Sequence, residues 1–222
     1  MSTIFIDRDG VINENRSDYV KSWSEFRFLP GSREAIATLT KAGHRIVVCT
    51  NQAGVAKGLI SIDTVEEIHR NMLAGIQEVG GVIEKIYYCT HSADANCDCR
   101  KPRPGMLFKA SRELDLDLSD AIFVGDSITD IQAGTAAGVR TMLVLTGLGM
   151  EHFRKHSQQM GPPFRVALNL KHAADVILQG TYIHDVQTSL ERACYDLLNF
   201  TEPHEPLRTL QKQYALIAEA WS

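Results

Sequence analysis

Ile4-Phe5-Ile6-Asp7-Arg8-Asp9-Gly10 sets a short run of β-branched and aromatic residues directly before two carboxylates and a glycine. The apolar run reads as a buried strand. Its carboxyl end then carries acids at i and i+2, and Gly10 lets the backbone turn. In a parallel α/β sheet that end is where ligands bind. One carboxylate there can attack while the other moves a proton, provided their surroundings give them different pKa values. Alone, the same residues also fit an acidic strand end or a pair of helix N-caps, so the rest of the chain decides.

Outward from this stretch, similar runs recur: Arg45 to Cys49, Lys85 to Cys89, Ala121 to Val124 and Thr141 to Leu145. Between them, Ser32 to Lys41, Ile62 to Glu78, Met106 to Leu114 and Ile131 to Ala137 carry apolar residues at helical spacing. Gly43 and Gly138 sit where helices should hand over to strands. Strands alternating with helices predict an α/β fold, a Rossmann-like doubly wound parallel sheet with helices on both faces. Gly147 to Lys171 is polar, carries Gly161-Pro162-Pro163 and reads as a loop or excursion; Ala174 to Leu178 reads as an edge strand or a helix end. The main domain is expected over residues 1–180. Residues 181–222 are expected to form a helical appendage of two amphipathic helices broken at Glu202-Pro203-His204-Glu205-Pro206. The stripe Leu207, Leu210, Tyr214, Ile217 and Trp221 would pack on the core, or join two copies into a homodimer of an otherwise monomeric protein.

With 222 residues, 44% apolar and 23% charged, the chain can build one sizeable core. A net charge of −4 gives no reason to expect nucleic acid or an anionic membrane as partner. No apolar run reaches the ~20 residues of a membrane span, and the early strand leaves no room for a signal peptide. A cytoplasmic location is expected. Five cysteines, three of them between residues 89 and 99, do not suit a disulfide framework.

Three further segments bear on the acids. Thr50-Asn51-Gln52 ends the second strand with a hydroxyl and backbone N–H groups suited to phosphate oxygens, or simply a turn. Gly125-Asp126-Ser127 ends the fourth strand. Asp130 follows one turn on, where the two acids can hold a hard cation such as Mg2+ or cap a helix. Cys99-Arg100-Lys101-Pro102-Arg103-Pro104 offers a rigid basic loop, an anion clamp or a solvated surface.

In chain order, Asp7-x-Asp9, Thr50, Lys101 and Gly125-Asp126-x-x-x-Asp130 resemble the motifs of the haloacid dehalogenase-like phosphatases, from about Ile4 to Gly147. The resemblance implies a phosphomonoesterase acting on a small phosphorylated substrate, and the short gaps from Gly10 to the second strand and from Gln52 to Gly80 leave no room for a large cap domain. Asp7 would be the nucleophile that forms an aspartyl-phosphate, and Asp9 the acid and then the base. Thr50 and Lys101 would hold the phosphoryl oxygens. Mg2+ would sit on Asp7, the Asp9 carbonyl and Asp126. Such chemistry needs positioning and charge neutralisation above all.

Cys89, His91, Cys97 and Cys99 make a Cys3His set, which predicts a structural Zn2+ site that orients Arg100 and Lys101. Cys49 and Cys194 read as buried apolar residues. A zinc loop at this point is similar to two branches of the superfamily: the D-glycero-D-manno-heptose 1,7-bisphosphate 7-phosphatases and the histidinol-phosphate phosphatases. Arg100-Lys101-Pro102-x-Pro104-Gly105-Met106, Asn51 to Gly58 and Asp18-Tyr19-Val20 resemble the heptose branch. That match implies substrate contacts from Asn51, Arg100, Asp18 and Tyr19. Histidinol phosphate, or another sugar or polyol phosphate, is the alternative substrate. Ser127 departs from the Lys or Arg usual after this aspartate, which leaves Arg16 or Arg103 to supply the missing charge.

Overall fold

The computed structural model describes residues 2–156 and 164–179. Six strands, β1 (Thr3–Ile6), β2 (Arg45–Asn51), β3 (Lys85–Cys89), β4 (Ile122–Gly125), β5 (Arg140–Val144) and β6 (Phe164–Ala167), form one sheet. Their order is β3-β2-β1-β4-β5-β6 and every pair is parallel. Chain order reverses beside β1, which opens a crevice at the carboxyl ends of β1 and β4.

Both faces of the sheet are covered, so its strands are apolar throughout rather than alternating. Ile4, Ile6, Ile46 and Val48 face α1 (Ser32–Lys41), α2 (Ile62–Gln77) and α6 (Leu170–Leu178). Phe5, Val47, Cys49 and Phe123 face α3 (Gly105–Leu114) and α4 (Ile128–Ala136). The remaining helix, α5 (Gly149–His156), lies beyond β5, where Phe153 meets Phe164 edge to face at 6.3 Å. Ser61 caps α2 by accepting from the Thr64 amide at 3.1 Å. Gly43 and Gly138 follow α1 and α4 with φ of 85° and 72°, the left-handed close expected of a helix end.

The stretch Gly147 to Lys171, expected as a loop, contains α5 and the edge strand β6, and Ala174 to Leu178 is the end of α6. A four-residue strand after two prolines is too short to show periodicity, so its pairing with β5 identifies it. Ahead of α1 and α2 the connections hold a loop with one 3-10 turn and a loop alone, too little for a cap domain. The expected helical appendage at 181–222, and any homodimer contact through it, lie outside the described residues. Among the described residues no helix is long and apolar enough to cross a membrane.

Candidate active site

The buried end of β1 delivers Asp7 to the crevice, with its amide donating to the Val124 carbonyl at 3.0 Å. Its Oδ1 accepts from the Arg8 amide at 2.7 Å and pairs with Lys101 Nζ at 2.9 Å. Lys101, only 3% exposed, also reaches Asp130 Oδ1 at 2.6 Å and donates to the Cys49 carbonyl at 2.9 Å. All three ammonium donors are therefore used. Burial alone would lower the lysine pKa, but Asp130 and Asp7 hold the proton and raise it. Asp7 is shifted up to about 6, first by burial, which outweighs the opposing pull of Lys101.

Asp9 has a different setting. Arg8 Nη2 donates to both its oxygens at 3.0 and 2.9 Å, Asn13 Nδ2 to Oδ1 at 2.9 Å and Gln52 Nε2 to Oδ2 at 2.8 Å. Burial would raise its pKa, yet the Arg8 charge and these hydrogen bonds hold it below the ordinary carboxylate value. The two acids of Asp-x-Asp thus sit in surroundings that drive them apart, the condition for different roles. Gln52 Nε2 also donates to Thr50 Oγ1 at 2.9 Å, so the end of β2 is joined to the end of β1.

Asp126 ends β4. Its Oδ2 accepts from the Leu148 amide at 2.8 Å, and burial, then Asp130 and Asp7, raise its pKa well above the ordinary value. Gly10 (φ 81°) and Gly147 (φ 58°) press against this carboxylate: a Cβ would stand 1.9 and 2.1 Å from Asp126 Oδ2. Here glycine is required by close approach as well as by backbone angle. Asp130 caps α4 in a reciprocal pair with Ser127: its Oδ2 accepts from the Ser127 amide at 3.0 Å and hydroxyl at 2.8 Å. Asp7, Asp126 and Asp130 offer oxygens within 4.8 Å of one another. Three buried carboxylates face one ammonium; ionised together they carry an excess of two negative charges, which adds to burial in raising the pKa of Asp7 and Asp126 and suits a divalent cation.

Beside this cluster, Cys89, His91, Cys97 and Cys99 converge, with Sγ and Nδ1 atoms 3.3 to 3.6 Å apart. Their loop is sewn to β2: the Lys101 amide donates to Asn51 Oδ1 at 3.1 Å, and Asn51 Nδ2 donates to the Lys101 carbonyl at 3.2 Å.

The HAD-hydrolase-like family model (HAD, haloacid dehalogenase) matches residues 98–173. The D-glycero-beta-D-manno-heptose-1,7-bisphosphate 7-phosphatase of Bordetella bronchiseptica is 43% identical over 181 residues, which cover 81% of this chain and 99% of that protein. The chain belongs to the haloacid dehalogenase-like phosphatases. Its counterpart from Neisseria meningitidis serogroup A is 37% identical, covering 81% of this chain and 96% of the relative. A crystal structure of the B. bronchiseptica phosphatase complexed with magnesium and phosphate superposes with a TM-score of 0.78 at 40% identity, covering 82% and 100% of the two chains. The corresponding Burkholderia thailandensis structure gives 0.64 at 34% identity, covering 80% and 99%.

In this phosphatase Asp7, Asp9 and Asp126 line a pocket of about 300 Å³ together with Thr50, Asn51, Gln52 and Lys101. One rim is Asn15, Arg16, Tyr19 and Val20; the other is Ser127, Thr129, Leu148 and His152. Tyr19, a substrate contact by the resemblance, lies at this rim in a left-handed conformation (φ 66°), with Lys57 Nζ 5.2 Å from its ring centre. Asp18 is not among the lining residues: its carboxylate is tied to Arg16 and Lys21. Arg100 is not either, its Nη1 donating to the His91 carbonyl at 3.3 Å. Of the two arginines that could replace the charge absent at Ser127, Arg16 is at the rim. Arg103 instead binds the Asn96 and Cys97 carbonyls.

Sequence reasoning does not single out Arg8, Asn13, Gln52 or His152. Gln52 stands inside the Thr50-Asn51-Gln52 motif, and Arg8 between the two acids. His152 carries no signal, because the polar segment around it hides α5.

Proposed function

We propose that this phosphatase hydrolyses the 7-phosphate of D-glycero-D-manno-heptose 1,7-bisphosphate, with Mg2+ at the carboxylate cluster and a structural Zn2+ on the Cys3His loop. The excess of two negative charges at the floor of the pocket carries the chemistry, and the likeness to the heptose bisphosphate phosphatases supports the substrate. Asp130 has both oxygens engaged, which leaves Asp7, Asp126 Oδ1 and the Asp9 carbonyl to hold Mg2+. Bound there, magnesium supplies the positive charge that lets a phosphate dianion approach a carboxylate.

Asp7 Oδ1 is held by Lys101 and the Arg8 amide and would be the oxygen offered to Mg2+, so Oδ2 is the attacking oxygen. As the Oδ2–P bond forms and the ester P–O bond breaks, Asp9 passes a proton to the leaving sugar oxygen. It needs that proton first, and the negative phosphate entering the pocket favours its uptake. Asp9, again ionised, takes a proton from water as the water oxygen attacks phosphorus; the P–Oδ2 bond breaks and phosphate leaves. Thr50 and Lys101 steady the phosphoryl oxygens, Lys101 by giving up one of its three contacts. Asn51 holds the Lys101 backbone in register, and Arg16 and Tyr19 meet the sugar and its second phosphate at the rim.

Phosphate release with Mg2+ present, measured on heptose 1,7-bisphosphate and histidinol phosphate in parallel, tests the substrate. We expect kcat/KM to favour the heptose by about a hundredfold, the ~3 kcal/mol that a few specific sugar contacts supply. The reverse preference, or equally low rates, would remove the heptose assignment and leave the chemistry intact.

The thiolate loop fits zinc. Bonds of about 2.0–2.3 Å in a tetrahedron set ligand atoms roughly 3.3–3.8 Å apart, and these lie 3.3 to 3.6 Å apart. Bound zinc crosslinks a loop that has few apolar residues of its own. Cys97→Ser is expected to lose zinc and to lower Tm and kcat together; unchanged metal content and melting would refute the site.

A further inference from the structure

We propose that His69, on α2, is a positioning residue for the reaction: it holds the Arg8 guanidinium in the orientation that fixes the Asp9 carboxylate. This rests on Asp9 being the acid and base. Arg8 is 1% exposed, and its Nε has no hydrogen-bond partner among the described residues, so the two terminal nitrogens carry all the contacts that hold this buried charge. Nη2 reaches both oxygens of Asp9 and, at 3.0 Å, Gln52 Oε1. Nη1 lies 3.2 Å from His69 Nε2. A guanidinium only donates and keeps its charge, so Nε2 accepts and the imidazole proton is on Nδ1.

The surroundings hold the ring in that state. His69 is 3% exposed, and burial, then the Arg8 charge, push its pKa down to about 3. Protonating it would place a second cation against Arg8. Its ring stands edge to face with Tyr88 at 5.2 Å, and the Tyr88 hydroxyl donates to Glu66, one turn earlier on α2. The neighbouring inward positions of α2 are Val65, Ile68, Met72 and Ile76, so the helix packs through apolar side chains. A leucine would serve packing equally well at 69. The polar ring serves Arg8 instead, and through it α2 reaches the chemistry.

Asp9 is needed differently for different leaving groups. Sugar phosphate needs its proton to depart, whereas nitrophenolate departs unaided. Hydrolysis of the aspartyl-phosphate needs Asp9 as base in both cases. The test therefore compares His69→Leu, His69→Gln and Asp9→Asn in the full chain with Mg2+, on heptose 1,7-bisphosphate and p-nitrophenyl phosphate.

His69→Leu is expected to lower kcat on the heptose by about tenfold to a hundredfold, as a modest misplacement of a reacting group does, with KM within about twofold. On the aryl phosphate it should release a burst near one nitrophenol per enzyme before slow turnover. His69→Gln, whose Oε1 accepts from Arg8, should recover most of the rate. A kcat unchanged in His69→Leu while Asp9→Asn is inactive would overturn the positioning role alone. A loss with no burst, lowered Tm and no recovery in His69→Gln would overturn it in favour of plain packing. Activity surviving in Asp9→Asn would remove the reading of Asp9 on which it rests. If the heptose is not turned over, the burst and the turnover rate on the aryl phosphate still decide between positioning and packing.

Discussion

Asp7→Asn should abolish phosphate release while leaving a protein that, free of metal, melts at a higher temperature than its parent. An amide has no charge with which to attack phosphorus, so kcat should fall by about 10⁴-fold or more, as it does when a covalent nucleophile is removed. The stability change has the opposite sign because Asp7 is held against its own ionisation. The unfolded chain loses this proton near 3.8, whereas the folded protein keeps it to about 6. Between those values the native state binds more protons, so stability falls as pH rises through the window and stays lower above it. Asparagine removes that cost. The Tm gain should therefore be largest at pH 7 and vanish towards pH 4, which thermal unfolding in chelator at the two pH values would check. Residual phosphate release near the parent rate would show that another group attacks.

Lys101→Met should change stability in the opposite sense, losing stability and rate together. The ammonium answers two carboxylates and a carbonyl within 2.9 Å, buried at the floor of the pocket. Removing one partner of a buried ion pair costs about 3–5 kcal/mol, because the charges left behind stay buried. At roughly 2–4 °C per kcal/mol for a chain of this size, Tm should fall by about 6–20 °C. Loss of a preorganised donor at the phosphoryl group should lower kcat by about 10²- to 10³-fold. The variant leaves three carboxylates without an ammonium, so added Mg2+ should restore more Tm in it than in the parent. Melting curves with and without Mg2+ decide the point. Equal Mg2+ responses would mean that the ion does not compensate this cluster.

The strand ends that carry Asp7, Thr50 and Asp126 are legible in the sequence because a two-sided parallel sheet needs unbroken apolar strands, and polar residues stand out where those strands stop. The Cys3His set is legible from clustering alone. Side-chain direction is not. Arg100 and Lys101 are neighbours in a basic loop, yet Lys101 enters the cluster while Arg100 turns to the His91 carbonyl. Nothing in residue type separates them; the difference lies in where Asn51 anchors the loop. Resemblance alone puts Asp18 with the substrate, but Arg16 and Lys21 compete for its carboxylate. Arg8 is hidden for a different reason. A charged residue between two acids reads as solvated, and its burial depends on Gln52 and His69, which are far away in sequence.

The Lys101 junction ties together pieces of chain that are made at different times. Its ammonium touches groups from β1, β2 and the start of α4, and the contact to Cys49 alone spans 52 residues. Thr146 then clasps the Gly10 carbonyl from 136 residues away, with Leu148 beside it on Asp126. Such distant closures form late, since each must first overcome the entropy of the intervening loop. A nascent chain that has emerged only as far as α3 carries the nucleophile and its lysine but lacks the acids of β4 and α4 that complete the electrostatic balance. The catalytic cluster therefore closes only once the chain has passed Leu148, and a chain that stops before β4 holds a nucleophile without the acids that complete its site.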